Sequence, residues 1–348
     1  MTPDERYMSR CIQLAQNGLG TTYPNPMVGS VIVHNDKIIG EGWHQQAGKP
    51  HAEVNAIASV QDVSMLKDAT IYVSLEPCSH FGKTPPCSDL IIEKGIKKVV
   101  IGAVDPNPKV AGAGIRKLTE AGCEVVSGVL EQECSELNKR FFTFHSEKRP
   151  YIILKWAQSA DGFLAPAQRS EQKPVWITNA HSKQLAHKMR ANEQAILVGT
   201  QTVLDDNPSL TTRSWKGESP IRVILDRSLR IPRESKVFNK DAPTLILNDQ
   251  TQSQEGHLHF EKVDFSENLA SEVCRVLYEH QLQSLIVEGG AQTLQTFIDS
   301  NLWDEAWVFK GAIRFEKGIT APSLVSGAMQ SERNVKGDIL TIYKNNRL

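Results

Sequence analysis

Apolar positions in this chain recur with two periods, and the two alternate along most of its length. From Asp4 to Asn17 they return at helical spacing, with Tyr7, Met8, Cys11, Ile12, Leu14 and Ala15 on or near one face and Gly18 closing the run; this predicts an amphipathic packing helix. Ser30-Val31-Ile32-Val33 reads as a strand, and a turn at Asn35-Asp36 returns the chain from Lys37 to His44 as its hairpin partner. Further strands are predicted at Ala69–Leu75, Lys97–Val104 and Cys123–Val126. Helices are predicted to start near His51 after Pro50, and to run from Cys87 to Lys94, Gly114 to Ala121 and Glu131 to Phe142. A hairpin followed by strands alternating with helices implies a mixed sheet with helices on both faces.

The polar, charged stretch His145-Ser146-Glu147-Lys148-Arg149-Pro150 has the composition of a boundary and divides the chain into 1–147 and 148–348. Beyond it, strands are predicted at Tyr151–Ala157, Ala195–Gly199, Arg222–Asp226, Thr244–Leu247 and Ser284–Glu288. Helices run from Ala180 to Arg190, with Thr178 or Asn179 as cap, from Ala270 to Glu279, and from Gly289-Gly290 to Asp299. The second half is therefore an alternating α/β domain, and 348 residues suit two such domains.

Composition narrows the function classes. Hydrophobic residues make up 40% and charged ones 23%, so each half can bury an ordinary core. A formal net charge of −1 argues against non-specific nucleic-acid binding, which needs a basic surface to displace counterions from phosphates. Six cysteines are too few for a disulfide scaffold in a chain of this length. Met1 to Arg6 carry no signal-peptide core and no run has the apolar length of a membrane span, so a reducing cytoplasmic compartment is expected.

The chemistry concentrates between His51 and Cys87. His51-Ala52-Glu53 stands at a helix start, Glu76-Pro77-Cys78 ends a strand, and Cys87 follows Pro85-Pro86 nine positions on. One imidazole and two thiols are donors that zinc prefers, and three protein ligands leave a fourth tetrahedral position open for water. On a helix Glu53 diverges from His51, so one side chain can bind metal while the other faces the water. His-x-Glu followed by Pro-Cys-x-x-Cys is the signature of zinc nucleobase deaminases; here eight residues separate the cysteines where that signature has two. Alone, a His-x-Glu or a pair of cysteines can equally be buried core or a structural site. Asn25, held between Pro24 and Pro26, can present its amide to a ligand or stabilise its own turn. His44 can face the same pocket or be structural. The turn Asp105-Pro106-Asn107-Pro108 ends a strand where open α/β sheets place ligands.

These segments resemble a known family. Pro24-Asn25-Pro26-Met27-Val28-Gly29, His51-Ala52-Glu53, Leu75 to His80, Lys83 to Cys87 and Asp105 to Pro108 are similar to the deaminase half of the bifunctional riboflavin-biosynthesis deaminase/reductases, where the longer cysteine spacing is expected. Lys155-Trp156-Ala157, Asp161-Gly162, Trp176-Ile177-Thr178, Thr202 to Pro208 and Glu288-Gly289-Gly290 are similar to the reductase half. The resemblance implies a cytidine-deaminase-like three-layer mixed sheet followed by a dihydrofolate-reductase-like α/β domain. It also implies Zn2+ and NADPH as cofactors, and a ribosylaminopyrimidine phosphate as small-molecule substrate.

Residue by residue, it places zinc at His51, Cys78 and Cys87, the proton shuttle at Glu53, and base and phosphate contacts at Asn25, His44, His80, Lys83, Asp105 and Asn107. In the second half it places cofactor contacts at Gln158, Trp176, Thr202, Asp206 and Gly290, and substrate contacts at Lys155, Thr178, Arg190, Leu210, Arg213 and Glu288. Two positions depart from the family. Pro174 stands where a serine is common, and Arg227 where a small polar residue is common; Arg227 can pair a cofactor 2′-phosphate or be a solvated surface arginine. A homo-oligomer without nucleic-acid or membrane partners is the expected assembly. The rivals are a tRNA or single-strand nucleobase deaminase with an accessory domain, and a structural zinc module with a cofactor-sensing domain.

Overall fold

The computed structural model describes residues 1–81, 85–107, 111–168 and 171–346. They form two units, Met1–Lys148 and Arg149–Leu348.

The first unit contains α1 (Pro3–Ala15), β1 (Gly29–His34), β2 (Lys37–Trp43), α2 (Ala52–Ala58), β3 (Thr70–Leu75), α3 (Cys87–Glu93), β4 (Lys98–Ala103), α4 (Ala113–Glu120), β5 (Glu124–Ser127), α5 (Glu131–Leu137) and α6 (Lys139–Glu147). Thr2 starts α1 with a reciprocal capping box to Glu5. Asn35 and Asp36 both take positive φ, the geometry that a tight hairpin needs. The sheet order is β2-β1-β3-β4-β5, antiparallel through β1 and β3 and parallel thereafter. Strand alternation gives it two buried faces. Ile32, Ile71, Val99 and Ile101 pack on α2, α3 and α4, whereas Val31, Tyr72 and Val100 pack on α1 and α5. The expected mixed sheet between helical layers is what forms.

One element differs. The helix expected over 131–142 is two helices broken at Asn138, whose side-chain amide leaves the helical path to bond both the N–H and the C=O of Met27. A long-range polar tie therefore overrides a continuous helical pattern.

The second unit comprises β6 (Tyr151–Gln158), β7 (Phe163–Pro166), α7 (Ala180–Asn192), β8 (Ala195–Gly199), α8 (Thr200–Asp206), β9 (Ile221–Leu225), β10 (Thr244–Asn248), β11 (Ser253–Glu255), β12 (Leu258–Lys262), α9 (Leu269–Glu279), β13 (Ser284–Val287), α10 (Ala291–Asp299), β14 (Glu305–Lys310), β15 (Gly318–Thr320), β16 (Gly327–Val335) and β17 (Asp338–Asn345). Asn179 is the cap of α7, accepting from the amides of His181 and Ser182. Ten strands run in the order β11-β12-β10-β9-β8-β13-β6-β14-β17-β16, and β7 pairs with β15 separately. The centre, from β12 to β14 in that order, is parallel. Its buried strands pack on α9 and α10 on one side, and on α7 and α8 on the other. Helix α8 and the strands β7, β11, β12 and β14 to β17 are additional to the elements predicted from periodicity. Much of that region alternates weakly, and β16 is exposed along nearly its whole length.

Candidate active sites

In the first unit, β3 and β4 are parallel and in register, with Leu75 opposite Ala103. Their C-terminal ends therefore deliver Glu76-Pro77-Cys78 and Asp105-Pro106-Asn107 side by side. Helices α2 and α3 start at the same place. His51 is the N-cap of α2 in an extended conformation, one step outside the helix it was expected to open, and Cys87 is the first residue of α3 behind Pro86.

Three donors converge there. His51 Nδ1 lies 3.6 Å from Cys78 Sγ and 3.3 Å from Cys87 Sγ, and all three atoms fall within 4.8 Å of one another. A tetrahedral zinc with its usual bond lengths separates a nitrogen and a sulfur ligand by about 3.6 Å, so the donor set fits such an ion. The backbone N–H of Cys87 donates to Cys78 Sγ at 3.2 Å. The Cys87 thiol, with His51, lowers Cys78 to about 4, while the Cys78 thiolate and burial push Cys87 far up. The pair thus shares a single proton, which a divalent cation would displace.

Glu53, in the first turn of α2, is 3% exposed and lies against the Cys87 thiol. Burial raises its carboxyl to about 7, with the nearby Cys78 acting in the same direction. His44 packs edge-on against the His51 ring at 5.4 Å. Both His44 ring nitrogens are engaged: Nδ1 at 3.1 Å from the Pro50 carbonyl, which can only accept, and Nε2 at 3.1 Å from Asn25 Nδ2. The contact between His44 and Asn25 orients the Asn25 amide. The expected base contact His44 is thus seen bonded to Asn25 and Pro50.

Asp105 accepts from the Asn107 amide at 2.8 Å; burial raises its carboxyl, and His145 and the exposed His80 lie within its electrostatic reach. The expected phosphate contact Lys83 lies outside the described residues. Sequence reasoning missed two residues of this site. His145 sits in the stretch read as a boundary. Glu76 was noted only as part of a motif, yet its carboxylate accepts from the amides of Gly114 at 2.8 Å, Gly112 at 2.9 Å, and Asp105 and Ile115 at 3.3 Å. Gly114 is required at that contact, because a Cβ there would sit 2.1 Å from the Pro77 carbonyl oxygen. We expect Glu76→Ala to lower the unfolding free energy of this unit by roughly 3 kcal/mol or more, since one buried and three half-buried amides lose their acceptor. An unchanged urea midpoint would show that the cradle contributes nothing.

In the second unit, β8, β9, β13 and β6 end side by side over a cavity of about 810 Å3, at the upper end of ligand pockets. The six residues expected on the substrate side, Lys155, Thr178, Arg190, Leu210, Arg213 and Glu288, all line it. Glu288 is the centre of that group. Its Oε2 accepts from Arg190 Nη2 at 2.7 Å, and Lys155 Nζ stands 3.6 Å from Oε1. Burial works to raise this carboxyl, but the two cations outweigh it and hold it at about 2. Glu288 Oε1 and Arg190 Nε are buried without a hydrogen-bond partner among the described residues, which leaves polar atoms for a ligand.

Of the residues expected at the cofactor, Trp176, Thr202, Asp206 and Gly290 line the same cavity. Gly290 has φ +47° and caps α10 without a side chain, and a Cβ on Gly289 would fall 2.4 Å from Val198 Cα. A glycine pair at a helix start lets a phosphate approach free amides, so the cradle fits the pyrophosphate of a dinucleotide. Pro174 also faces the cavity. Gln158 and Arg227 do not line it. Gln158 Oε1 accepts from Trp156 Nε1 at 2.8 Å, and Arg227 is tied to Asp249 at 2.7 Å. His187, unnoticed in the sequence, lines the wall; its Nδ1 accepts from the Arg213 amide at 3.0 Å, and burial and the cations around it lower it to about 4. Lys183 stands 4.1 Å from the Trp176 ring centroid.

Known proteins match both units. Residues 1–103 match the cytidine and deoxycytidylate deaminase zinc-binding region, and residues 150–326 match the RibD C-terminal domain. The riboflavin biosynthesis protein RibD of Aquifex aeolicus is 44% identical over 88% of this chain and 86% of its own length. That of Bacillus amyloliquefaciens is 43% identical over 95% and 91%. The crystal structure of a diaminohydroxyphosphoribosylaminopyrimidine deaminase/5-amino-6-(5-phosphoribosylamino)uracil reductase from Thermotoga maritima superposes with a TM-score of 0.88 at 38% identity, over 99% of both chains. With both halves matched in one chain, and relatives of this identity aligned over nearly their whole length, the protein belongs to the RibD family of riboflavin biosynthesis, whose members unite a zinc-dependent deaminase and an NADPH-dependent reductase.

Proposed function

We propose that the first unit removes the ring amine of a diaminopyrimidinone ribosyl phosphate as ammonia, and that the second reduces the opened ribosyl group of the product to a ribityl chain. The observation that carries the reading is the convergence of His51 Nδ1, Cys78 Sγ and Cys87 Sγ beside the buried carboxyl of Glu53. His51, Cys78 and Cys87 would hold zinc, whose chemistry there would be to acidify a water at neutral pH. Glu53 accepts a proton from the attacking water, delivers it to the ring nitrogen, and protonates the departing amine. The net change adds water, releases ammonia and leaves a ring carbonyl. Asn25, its amide held by His44, faces the base together with Asp105 and Asn107, while His80 and Lys83 serve the phosphate end.

In the second unit, NADPH when bound supplies the hydride. Trp176, Thr202, Asp206 and the Gly290 amides hold the cofactor. Lys155, Thr178, Arg190, Leu210, Arg213 and Glu288 hold the sugar phosphate, their cations matching its charge. The side chains that line the cavity position the two reactants. A reducing compartment such as the cytoplasm keeps the thiols of the first site available, and the near-neutral chain has no need of nucleic acid. No described helix is long and apolar enough to cross a membrane.

The test is to incubate the protein with the diamino substrate, with and without NADPH, and to follow ammonia and nicotinamide absorbance together. Ammonia without NADPH, followed by NADPH oxidation once product forms, is the expected result; NADPH oxidation without ammonia release would sink the order proposed. Asp206→Ala should impair NADPH oxidation and leave ammonia release intact. Equal loss of both activities in the folded variant would mean that the two sites are not separable.

A further inference from the structure

We propose that Arg230 is the residue that selects NADPH over NADH, by pairing the 2′-phosphate of the bound cofactor; this rests on the reading of the second cavity as the nicotinamide site. The order of strands fixes the direction of the ligand. From β9 through β8 and β13 to β6 there are three inter-strand steps, about 14 Å in all. Leu225 lies opposite Gly199, and Val287 opposite both Leu197 and Leu154, so the strand ends form one continuous floor. Lys155 and Glu288 stand over its β6 and β13 end, where the reacting sugar binds and where the nicotinamide must therefore lie. The glycine cradle at Gly290 follows β13 and suits the pyrophosphate. The adenosine end then falls toward β9, and Arg230 lines the cavity just beyond the last residue of that strand.

The turn that carries Arg230 is held firmly. The buried Asp226 carboxylate accepts from the amides of Arg230 at 3.0 Å and Ile231 at 2.9 Å, and from Thr200 Oγ1 at 3.2 Å, tying the turn to the first residue of α8. Its guanidinium is exposed and makes no ion pair among the described residues. The other cations of the cavity are engaged. Lys155 and Arg190 face Glu288, Lys183 lies over Trp176, and Arg213 donates to Ser209. Arg227, the arginine that the sequence offered for this role, is bound to Asp249 and does not line the cavity. A planar guanidinium meets a phosphate with two parallel hydrogen bonds, whereas the 2′-hydroxyl of NADH gives it no charge to pair.

The test is equilibrium binding of NADPH and NADH, without substrate, followed by quenching of intrinsic tryptophan fluorescence. Arg230→Ala should weaken NADPH about tenfold or more and leave NADH within about twofold; Arg230→Lys should restore part of the preference. A far-ultraviolet circular dichroism spectrum and a urea midpoint equal to those of the wild type report that the second unit, which carries Arg230, is folded. Equal weakening of both nucleotides, or a preference lost in Arg227→Ala and kept in Arg230→Ala, would overturn the proposal. Wild-type protein that binds neither nucleotide would remove the nicotinamide reading of the cavity and this proposal with it.

Discussion

Glu53→Gln is expected to reduce ammonia release by roughly 10²- to 10⁴-fold, the usual contribution of a positioned proton carrier, without loss of bound zinc. Glutamine has the same shape as the acid it replaces, and the side chain is 3% exposed, so packing around it is retained. What disappears is the group that takes a proton from water and returns it to the ring nitrogen and the amine. Atomic absorption should find zinc undiminished, and NADPH oxidation with pre-deaminated substrate should be unchanged. Cys87→Ala should instead lose both zinc and ammonia release. A glutamine variant that turned over normally would leave the cluster as a structural zinc site, which has no need of this acid.

The second large effect concerns Glu288. Arg190→Met removes the 2.7 Å partner of a carboxylate whose side chain is 9% exposed and leaves it only the more distant Lys155 at 3.6 Å, a loss of a buried partner that costs up to about 3–5 kcal/mol. The pH dependence has a definite sign. In the wild type this carboxyl is held at about 2, below its ordinary 4.5. Its stabilisation is therefore fully present above the ordinary value and is lost as the pH falls from about 4.5 toward 2. Without Arg190, burial has less opposing it and the carboxyl rises, so acid relieves the variant where it weakens the wild type. Urea unfolding should show the gap between them widest at neutral pH and narrowing on the acid side. A gap independent of pH would mean that Arg190 acts through packing alone, and adding Glu288→Gln to the variant should recover part of the loss.

How far the sequence could be read follows the range of the forces involved. The helix starts at His51 and Cys87, the Asn35-Asp36 turn and the Asn179 cap rest on interactions within a few residues, and all four are where local pattern places them. The break at Asn138 was not legible, because its cause is a partner at Met27, 111 residues away. The strands of the last forty residues take their places by pairing, β17 on β14, β16 on β17 and β15 on β7, rather than by their own periodicity.

The sequence by itself named the donors and the acid, His51, Cys78, Cys87 and Glu53, because an imidazole, two thiols and a carboxyl are recognisable residue by residue; their convergence needed the fold. It also determined the two-unit α/β plan, because hydrophobic period is a local property that each segment carries alone. Only the tertiary structure decided that Glu76 clasps the 105–115 segment, that His44 serves Asn25, and that Arg227 is spent on Asp249 while Arg230 lines the cavity. Each of these depends on which strand lies beside which. Strand order is set by burial summed over the whole sheet, and no short stretch of the chain contains that sum.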